Sequence, residues 1–296
     1  MKIAFFGDIH GQVYHLLAAV LTWQKRSDSA LDMVIQVGDF GVEHLEKMIQ
    51  NRDVFLRYIA NNPAQFDFLR ILYAQEHLAA RLKEIRQQIQ SPLYFVRGDH
   101  DDAAWLRQLS QNSREQTIPI DAFDLFHYIP DGTILNCGSV KLACFGGVEH
   151  PGRGKEGTEH DPTALTTLLA SKSDKVDVLI THEPLYGCST GFYGQTQGST
   201  QVSKLIEALQ PRYHVAGHLH TMIGPQQYGS TTSLGLNKLG GLSRPRQCET
   251  LPTLRQGTMA LLDTATATLE FVTGDWLAGF NQECERIVES LASCLH

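Results

Sequence analysis

Short apolar runs alternate with stretches of helical period, and the runs stop at glycine, aspartate or histidine. Ile3-Ala4-Phe5-Phe6 reads as a strand leading straight into Gly7-Asp8-Ile9-His10-Gly11. From Val13 to about Lys25 the apolar positions Val13, Leu16, Leu17, Val20 and Leu21 follow the spacing of an amphipathic helix. Met33 to Val37 is a second buried strand, ending in Gly38-Asp39-Phe40-Gly41. A β-α-β order favours parallel pairing, which puts Asp8 and Asp39 at the same sheet edge.

Residues from about 43 to 90 break this rhythm. They are rich in Leu, Ala, Gln and charge and lack strand signals, which predicts two or three helices inserted over one side of the sheet. Pro92 stops that insertion, and Leu93 to Val96 is a third strand, delivering Gly98-Asp99-His100-Asp101-Asp102 before a helix through Trp105, Leu106 and Leu109. Further strands are expected at Val140 to Phe145, before a polar Gly-rich loop, at Val176 to Ile180, before Thr181-His182-Glu183, and at Tyr213 to Ala216, before Gly217-His218-Leu219-His220. Helices are expected over Thr163 to Ala170 and Val202 to Leu209. Thr258 to Leu262 and Thr268 to Val272 read as hairpin strands, and Phe280, Cys284, Ile287, Val288, Leu291 and Leu295 mark a closing amphipathic helix over about 280–295. With no internal repeat and no linker, residues 1–296 are expected to form a single α/β domain.

Composition narrows the class. The chain has 296 residues, 42% hydrophobic and 19% charged, as in ordinary globular proteins. A net charge of −7 supplies no general attraction to nucleic acid or anionic membranes. No stretch approaches the ~20 apolar residues of a membrane span, and the apolar run after Met1-Lys2 is too short and too soon acidic for a signal peptide. Six cysteines without Cys-x-x-Cys spacing predict reduced thiols, hence a cytoplasmic protein with no membrane partner.

Five loops, each just past an expected strand, carry Asp8, His10, Asp39, Asp99, His100, His182, His218 and His220. Ligands bind at strand carboxyl ends in α/β sheets, so these side chains are expected to converge. Mixed imidazole and carboxylate donors suit transition metals better than Mg or Ca. Two such ions ~4 Å apart can hold and deprotonate one water between them and neutralise phosphoryl oxygens. No cysteine has a ligand-like place, which argues against a structural zinc site, and no Gly-x-Ser-x-Gly elbow supports a covalent serine mechanism.

The ordered series Asp8-x-His10, Gly38-Asp39, Gly98-Asp99-His100-Asp101, His182 and Gly217-His218-x-His220 resembles the calcineurin-like metallophosphoesterase superfamily. The resemblance implies a four-layer α/β/β/α sandwich with two divalent transition metal ions (Mn, Fe or Zn, with Mn expected to serve in vitro) at one edge. It implies one ion on Asp8, His10, Asp39 and His220, and a second on Asp39, Asp99, His182 and His218. His100 would lie outside the ligand set, beside the phosphate, where it can donate a proton to the leaving oxygen or steady the charge developing on the phosphate, with Asp101 orienting it and raising its pKa. One position departs from the family pattern: Asp99 stands where Asn is usual. Its added charge is expected to tighten metal binding while weakening the pull on phosphate.

For the substrate, Gly38-Asp39-Phe40-Gly41 lacks the arginine of the Ser/Thr protein phosphatase motif, whereas Leu209-Gln210-Pro211-Arg212-Tyr213 before Gly217-His218 is similar to RNA lariat debranching enzymes. Arg212 lies in a span, 200–256, rich in Lys and Arg, and Tyr186, Phe192 and Tyr193 are placed to stack a base. Arg212 and Tyr193 are therefore the candidate substrate contacts. A phosphodiester of nucleotide or nucleic-acid type is the expected substrate. A phosphomonoesterase or protein phosphatase of the same fold, and a catalytically impaired scaffold owing to Asp99, are the alternatives.

Overall fold

The computed structural model describes residues 1–42, 63–152, 155, 157–239, 255–273, 284, 286–291 and 293. The first strand, β1 (Lys2–Phe6), alternates sides: Ala4 and Phe6 join one core, Ile3 and Phe5 another. That alternation is the plan of the molecule, because both faces of the sheet are covered.

One sheet has seven strands. In chain order they are β1, β2 (Met33–Gln36), β3 (Leu93–Phe95), β4 (Ile118–Pro119), β5 (Phe126–Tyr128), β14 (Met259–Asp263) and β15 (Thr268–Phe271), arranged β15-β14-β1-β2-β3-β5-β4. β1, β2, β3 and β5 run parallel, with Ile3 opposite Met33 and Val34 opposite Leu93. The expected hairpin β14–β15 pairs antiparallel to β1 and extends this sheet.

The second sheet holds β6 (Ile134–Cys137), β7 (Val140–Phe145), β8 (Val178–Thr181), β11 (Tyr213–Ala216), β12 (Ile223–Tyr228) and β13 (Thr231–Gly235), arranged β12-β13-β11-β8-β7-β6. β7, β8, β11 and β13 are parallel. A short ribbon, β9 (Ser189–Thr190) with β10 (Thr196–Gln197), projects from the loop after β8.

Helices close the sandwich from outside. α1 (Val13–Ser27), α2 (Asp67–Leu72), α3 (Glu76–Arg86) and α4 (Ala103–Gln111) supply Leu16, Leu17, Phe68, Leu82 and Leu106 to the core over the seven-stranded sheet. α5 (Pro162–Ala170) and α6 (Thr200–Leu209) supply Leu168, Val202 and Leu205 to the core over the six-stranded sheet. Between the sheets lie Ile35, Val96, Leu142, Ile180 and Val215. The architecture is the expected four layers, α/β/β/α.

Helix starts follow local chemistry. Asp102 Oδ1 accepts from Trp105 N at 3.2 Å, Asp161 Oδ1 from Thr163 N at 2.7 Å with Pro162 next to it, and Ser199 Oγ from Gln201 N at 3.1 Å. Of the insertion expected over 43–90, residues 43–62 lie outside the described residues. The rest is a 3-10 turn, Pro63–Phe66, followed by α2 and α3. Of the closing helix expected over 280–295, Cys284 and residues 286–291 and 293 are described and helical, with Cys284 and Leu291 buried in the first core. Among the described residues, no helix is long and apolar enough to cross a membrane, and Cys137, Cys144 and Cys188 are free thiols.

Directly behind Asp39, Phe40 is stacked on Phe95 (centroids 4.4 Å apart) and meets Phe126 and Phe68 edge-on at 5.2 and 5.4 Å. This aromatic knot locks the exits of β2 and β3 to α2. Phe40→Ala is expected to lower the unfolding free energy by about 3–5 kcal/mol, read from chemical denaturation. A loss under about 1 kcal/mol would contradict the packing described.

Candidate metal centre

The five loops converge although they come from two sheets. β1, β2 and β3 deliver Asp8, His10, Asp39, Asp99 and His100; β8 and β11 deliver His182, His218 and His220. Ligand-type atoms of Asp8, His10, Asp39 and His220 lie within 4.8 Å of one another, as do those of Asp99, His182 and His218, and those of Asp39, Asp99 and His100. Asp39 stands between the groups. Its Oδ1 is 3.4 Å from His182 Nε2 and its Oδ2 3.9 Å from His10 Nε2.

The backbone holds these loops together. His10 N donates to Asp39 O at 2.8 Å and Gly11 N to Phe40 O at 2.7 Å. His100 N donates to Asp39 Oδ1 at 2.7 Å, and His218 N to Asp8 Oδ1 at 3.0 Å. Gly217 N donates to His182 O at 2.9 Å. His182 Nδ1 bonds Val37 O at 3.0 Å, which turns Nε2 toward Asp39 and Asp99. A Cβ at Gly217 would collide with Asp8 Oδ1, and one at Gly38, itself at φ 102°, with the His182 ring. His10, Asp39, His218 and His220 all sit at positive φ, between 45° and 67°. Left-handed backbone at non-glycine residues costs on the order of 1–3 kcal/mol each, and concentrates where function requires it.

Burial is graded across the cluster. Asp8, Asp39, Asp99 and His182 are buried, whereas His10, His100, His218 and His220 are partly open to solvent. Burial and the neighbouring carboxylates Asp8, Asp99 and Asp101 push Asp39 well above the usual carboxylate range, despite the opposing pull of His182. Burial also acts to raise Asp8, but His220, His182 and His10 outweigh it and hold that carboxyl low. Burial brings His10 down to about 3. His182 is pushed up to about 10, the carboxylates Asp39, Asp99 and Asp8 overriding its own burial.

This donor set fits a cation. Asp8 Oδ2 is buried without a well-aligned hydrogen bond, and the closest imidazole nitrogen, His220 Nε2 at 2.9 Å, also lies 3.0 Å from His10 Nε2. Two imidazole nitrogens and a carboxylate oxygen aimed at one point satisfy a shared positive ion better than they satisfy each other.

Three expectations need correction. Asp101 does not orient His100: its Oδ1 accepts from Gly41 N (2.7 Å) and Val42 N (3.0 Å), and its Oδ2 from Gly98 N (2.7 Å) and Phe40 N (3.2 Å). It ties the β2 and β3 exit loops together, while Asp102 caps α4. Arg212 precedes β11, whereas His218 and His220 follow it, so the four residues of that strand, about 13 Å at ~3.3 Å each, separate it from the cluster. It stacks over Tyr213 and donates to Ala267 O. Tyr193 stands in solvent on the loop joining β9 to β10; its contacts are Phe192, edge-on at 5.1 Å, and Gln195. From the basic span 200–256, Arg244 and Arg246 lie outside the described residues, and Lys238 is near enough to His10 and Asp8 to act on their charge.

One residue beside the cluster carried no signal in the sequence. Lys155, from the Gly-rich loop after β7, is ion-paired to Asp99 Oδ2 and lies 2.7 Å from His100 Nε2.

Imidazole and carboxylate donors gathered at the common edge of a two-sheet sandwich define a class of protein with a candidate cation site there. The comparisons give that class its name. The calcineurin-like phosphoesterase family matches residues 1–222, and the chain belongs to it. The chain is similar to the UPF0046 protein K07C11.7 of Caenorhabditis elegans, 33% identical over 137 residues that make up 45% of each chain, so the match spans less than half of that relative. The solved structure of TT1561 from Thermus thermophilus matches with a TM-score of 0.50 at 14% identity, covering 92% of this chain and 98% of that one. Another solved chain matches with a TM-score of 0.52 at 13% identity and the same coverage. At such identities the likeness shows the fold alone.

Asp101→Asn replaces one acceptor oxygen with a donor against two backbone N–H groups. It is expected to lower the unfolding free energy by about 2–3 kcal/mol in chemical denaturation. A change under about 0.5 kcal/mol would show that the clamp does not hold the loops.

Proposed function

We propose that this chain is a dinuclear metal-dependent phosphoesterase acting on a phosphodiester. Asp8, His10, Asp39 and His220 would hold one ion, and Asp39, Asp99, His182 and His218 the other. The observation that carries the reading is the place of Asp39, one oxygen turned toward each group of donors. When bound, the ions supply charge to neutralise phosphoryl oxygens and lower the pKa of the attacking water.

The chain's own residues do the rest. The three backbone bonds from Phe40, Gly41 and Val42 to Asp101 and the Asp39–His100 bond set the distance between the β2 and β3 loops, and with it the distance between the donor groups. His100, partly open to solvent with its ring edge-on to His10 at 5.0 Å, is placed to meet the phosphoryl group and to steady the charge developing on it. Val37 O fixes which nitrogen His182 offers. The buried carboxylates Asp8 and Asp39 favour a diester, with one negative charge, over a monoester, with about two at neutral pH.

Hydrolysis of bis-p-nitrophenyl phosphate, with Mn added and with chelator, is compared with hydrolysis of p-nitrophenyl phosphate. The reading expects Mn-dependent cleavage of the diester at the higher kcat/KM. Cleavage of the monoester alone would replace it with a phosphomonoesterase, and cleavage of neither with a scaffold. Two variants test the assignments. Asp39→Ala is expected to lose both ions, whereas retention of two per chain would refute the shared ligand. His100→Ala is expected to keep its metal content while activity falls about a hundredfold; unchanged activity would remove His100 from the mechanism.

A further inference from the structure

Three buried carboxylates face any anion that enters the cluster, and the charge of one of them is met from within the chain. Asp99 Oδ1 is turned to His182 Nε2 and His218 Nδ1, each at 3.3 Å, while Asp99 Oδ2 is ion-paired to Lys155 Nζ. The two oxygens of Asp99 thus have different partners. A carboxylate with one oxygen bound by an ammonium presents the other much as an amide presents its carbonyl: one oxygen donor and no net charge. The same ammonium lies 2.7 Å from His100 Nε2. An ammonium can only donate, so Nε2 accepts and the ring proton is on Nδ1. Among the described residues, Lys155 is the lysine or arginine in hydrogen-bonding contact with the cluster.

Its position is built rather than incidental. Lys155 N donates to Gly152 O at 3.1 Å, and its carbonyl accepts from Thr158 N at 3.3 Å and Thr158 Oγ1 at 2.7 Å. Thr158 O in turn accepts from Val148 N at 3.1 Å and Arg97 Nη1 at 3.0 Å. Arg97 is buried and anchored through its Nε to Asp131 Oδ2 at 2.6 Å, and it immediately precedes Gly98-Asp99. The stretch that presents Asp99 therefore also grips the loop that presents its counter-charge.

We propose that Lys155 is a positioning residue of this site: it takes up one oxygen and the charge of Asp99, and fixes His100 with Nε2 as acceptor, so that an anionic phosphoryl group can enter beside three carboxylates. The proposal rests on the phosphoesterase reading above, and it accounts for how an aspartate is accommodated at position 99.

The test compares the Mn-loaded wild type with Lys155→Met, Asp99→Asn and the double variant. The readouts are metal content, the affinity of inorganic phosphate by calorimetry, and kcat and KM for bis-p-nitrophenyl phosphate. Lys155→Met is expected to keep the wild-type metal content, weaken phosphate at least tenfold and raise KM in parallel. Adding Asp99→Asn is expected to bring phosphate affinity back to within threefold of wild type. An unchanged affinity in Lys155→Met overturns the proposal. So does a loss that Asp99→Asn fails to restore, since a lysine that only props its loop would be indifferent to residue 99. A measurement on the wild type alone guards against a variant that fails to fold: the ¹⁵N shifts of the His100 ring in metal-free protein are expected to show the Nδ1–H tautomer, and Nε2–H would overturn the contact. If the wild type cleaved neither ester, the hydrolytic reading would fall, while the phosphate affinities and ring shifts would still decide the role of Lys155.

Discussion

The structure turns on a buried carboxylate that cannot be content alone. Asp39 is almost wholly excluded from water, with Asp8, Asp99 and Asp101 all close enough to repel its charge. A group so placed either takes a proton or binds a cation. Its surroundings oppose any move to relieve it: the carbonyl accepts from Ile9 and His10, one carboxylate oxygen accepts from His100 N, and Phe40 behind it is locked in the aromatic core. The backbone at Asp39 is held at φ 54°, after Gly38 at φ 102° and two residues before Gly41 at φ 87°. A protein that keeps a carboxylate under these conditions is organised to be completed by positive charge.

The two-sheet scaffold makes that organisation rigid. Parallel strands from both sheets end at one edge, so imidazoles from β8 and β11 meet carboxylates from β1, β2 and β3, each within five residues of the end of its strand. Asp101, with four backbone donors on its carboxylate, converts two separate loops into one unit. Lys155 then balances the outermost carboxylate. Positive charge enters the cluster from two directions in this account: the ions that the donor set fits, and an ammonium supplied by the chain itself.

Much of this was legible along the chain. Strands Val140–Phe145 and Tyr213–Ala216 are mostly apolar and stop at glycine, and the structure has the same bounds. The clustering of Asp8, His10, Asp39, Asp99, His100, His182, His218 and His220 followed from strand ends in order, because parallel topology turns sequence order into spatial convergence. The misses have a common cause. Strands β4, β5 and β6 have two to four residues, too few to show a period, and depend on pairing with distant partners. The likeness of residues 209–213 to debranching enzymes and the basic span around them point to Arg212 as a substrate contact, although it lies on the other side of a strand from His218. Asp101 sits beside His100 in sequence, but its partners are backbone groups some sixty residues away as well as Gly98 three residues before it. Lys155 lies in a loop without periodicity, 56 residues from Asp99. A local pattern cannot encode a contact that tertiary folding alone creates.

The claim at the centre of this account is that Asp39 joins two cation sites into one. Electron paramagnetic resonance of the chain loaded with Mn(II) reads that directly. Two ions sharing a carboxylate are expected to give the exchange-coupled multiline signal of a pair, at two Mn per chain. An isolated six-line Mn(II) signal that persists at full loading would contradict it, and would leave the two groups of donors as independent sites.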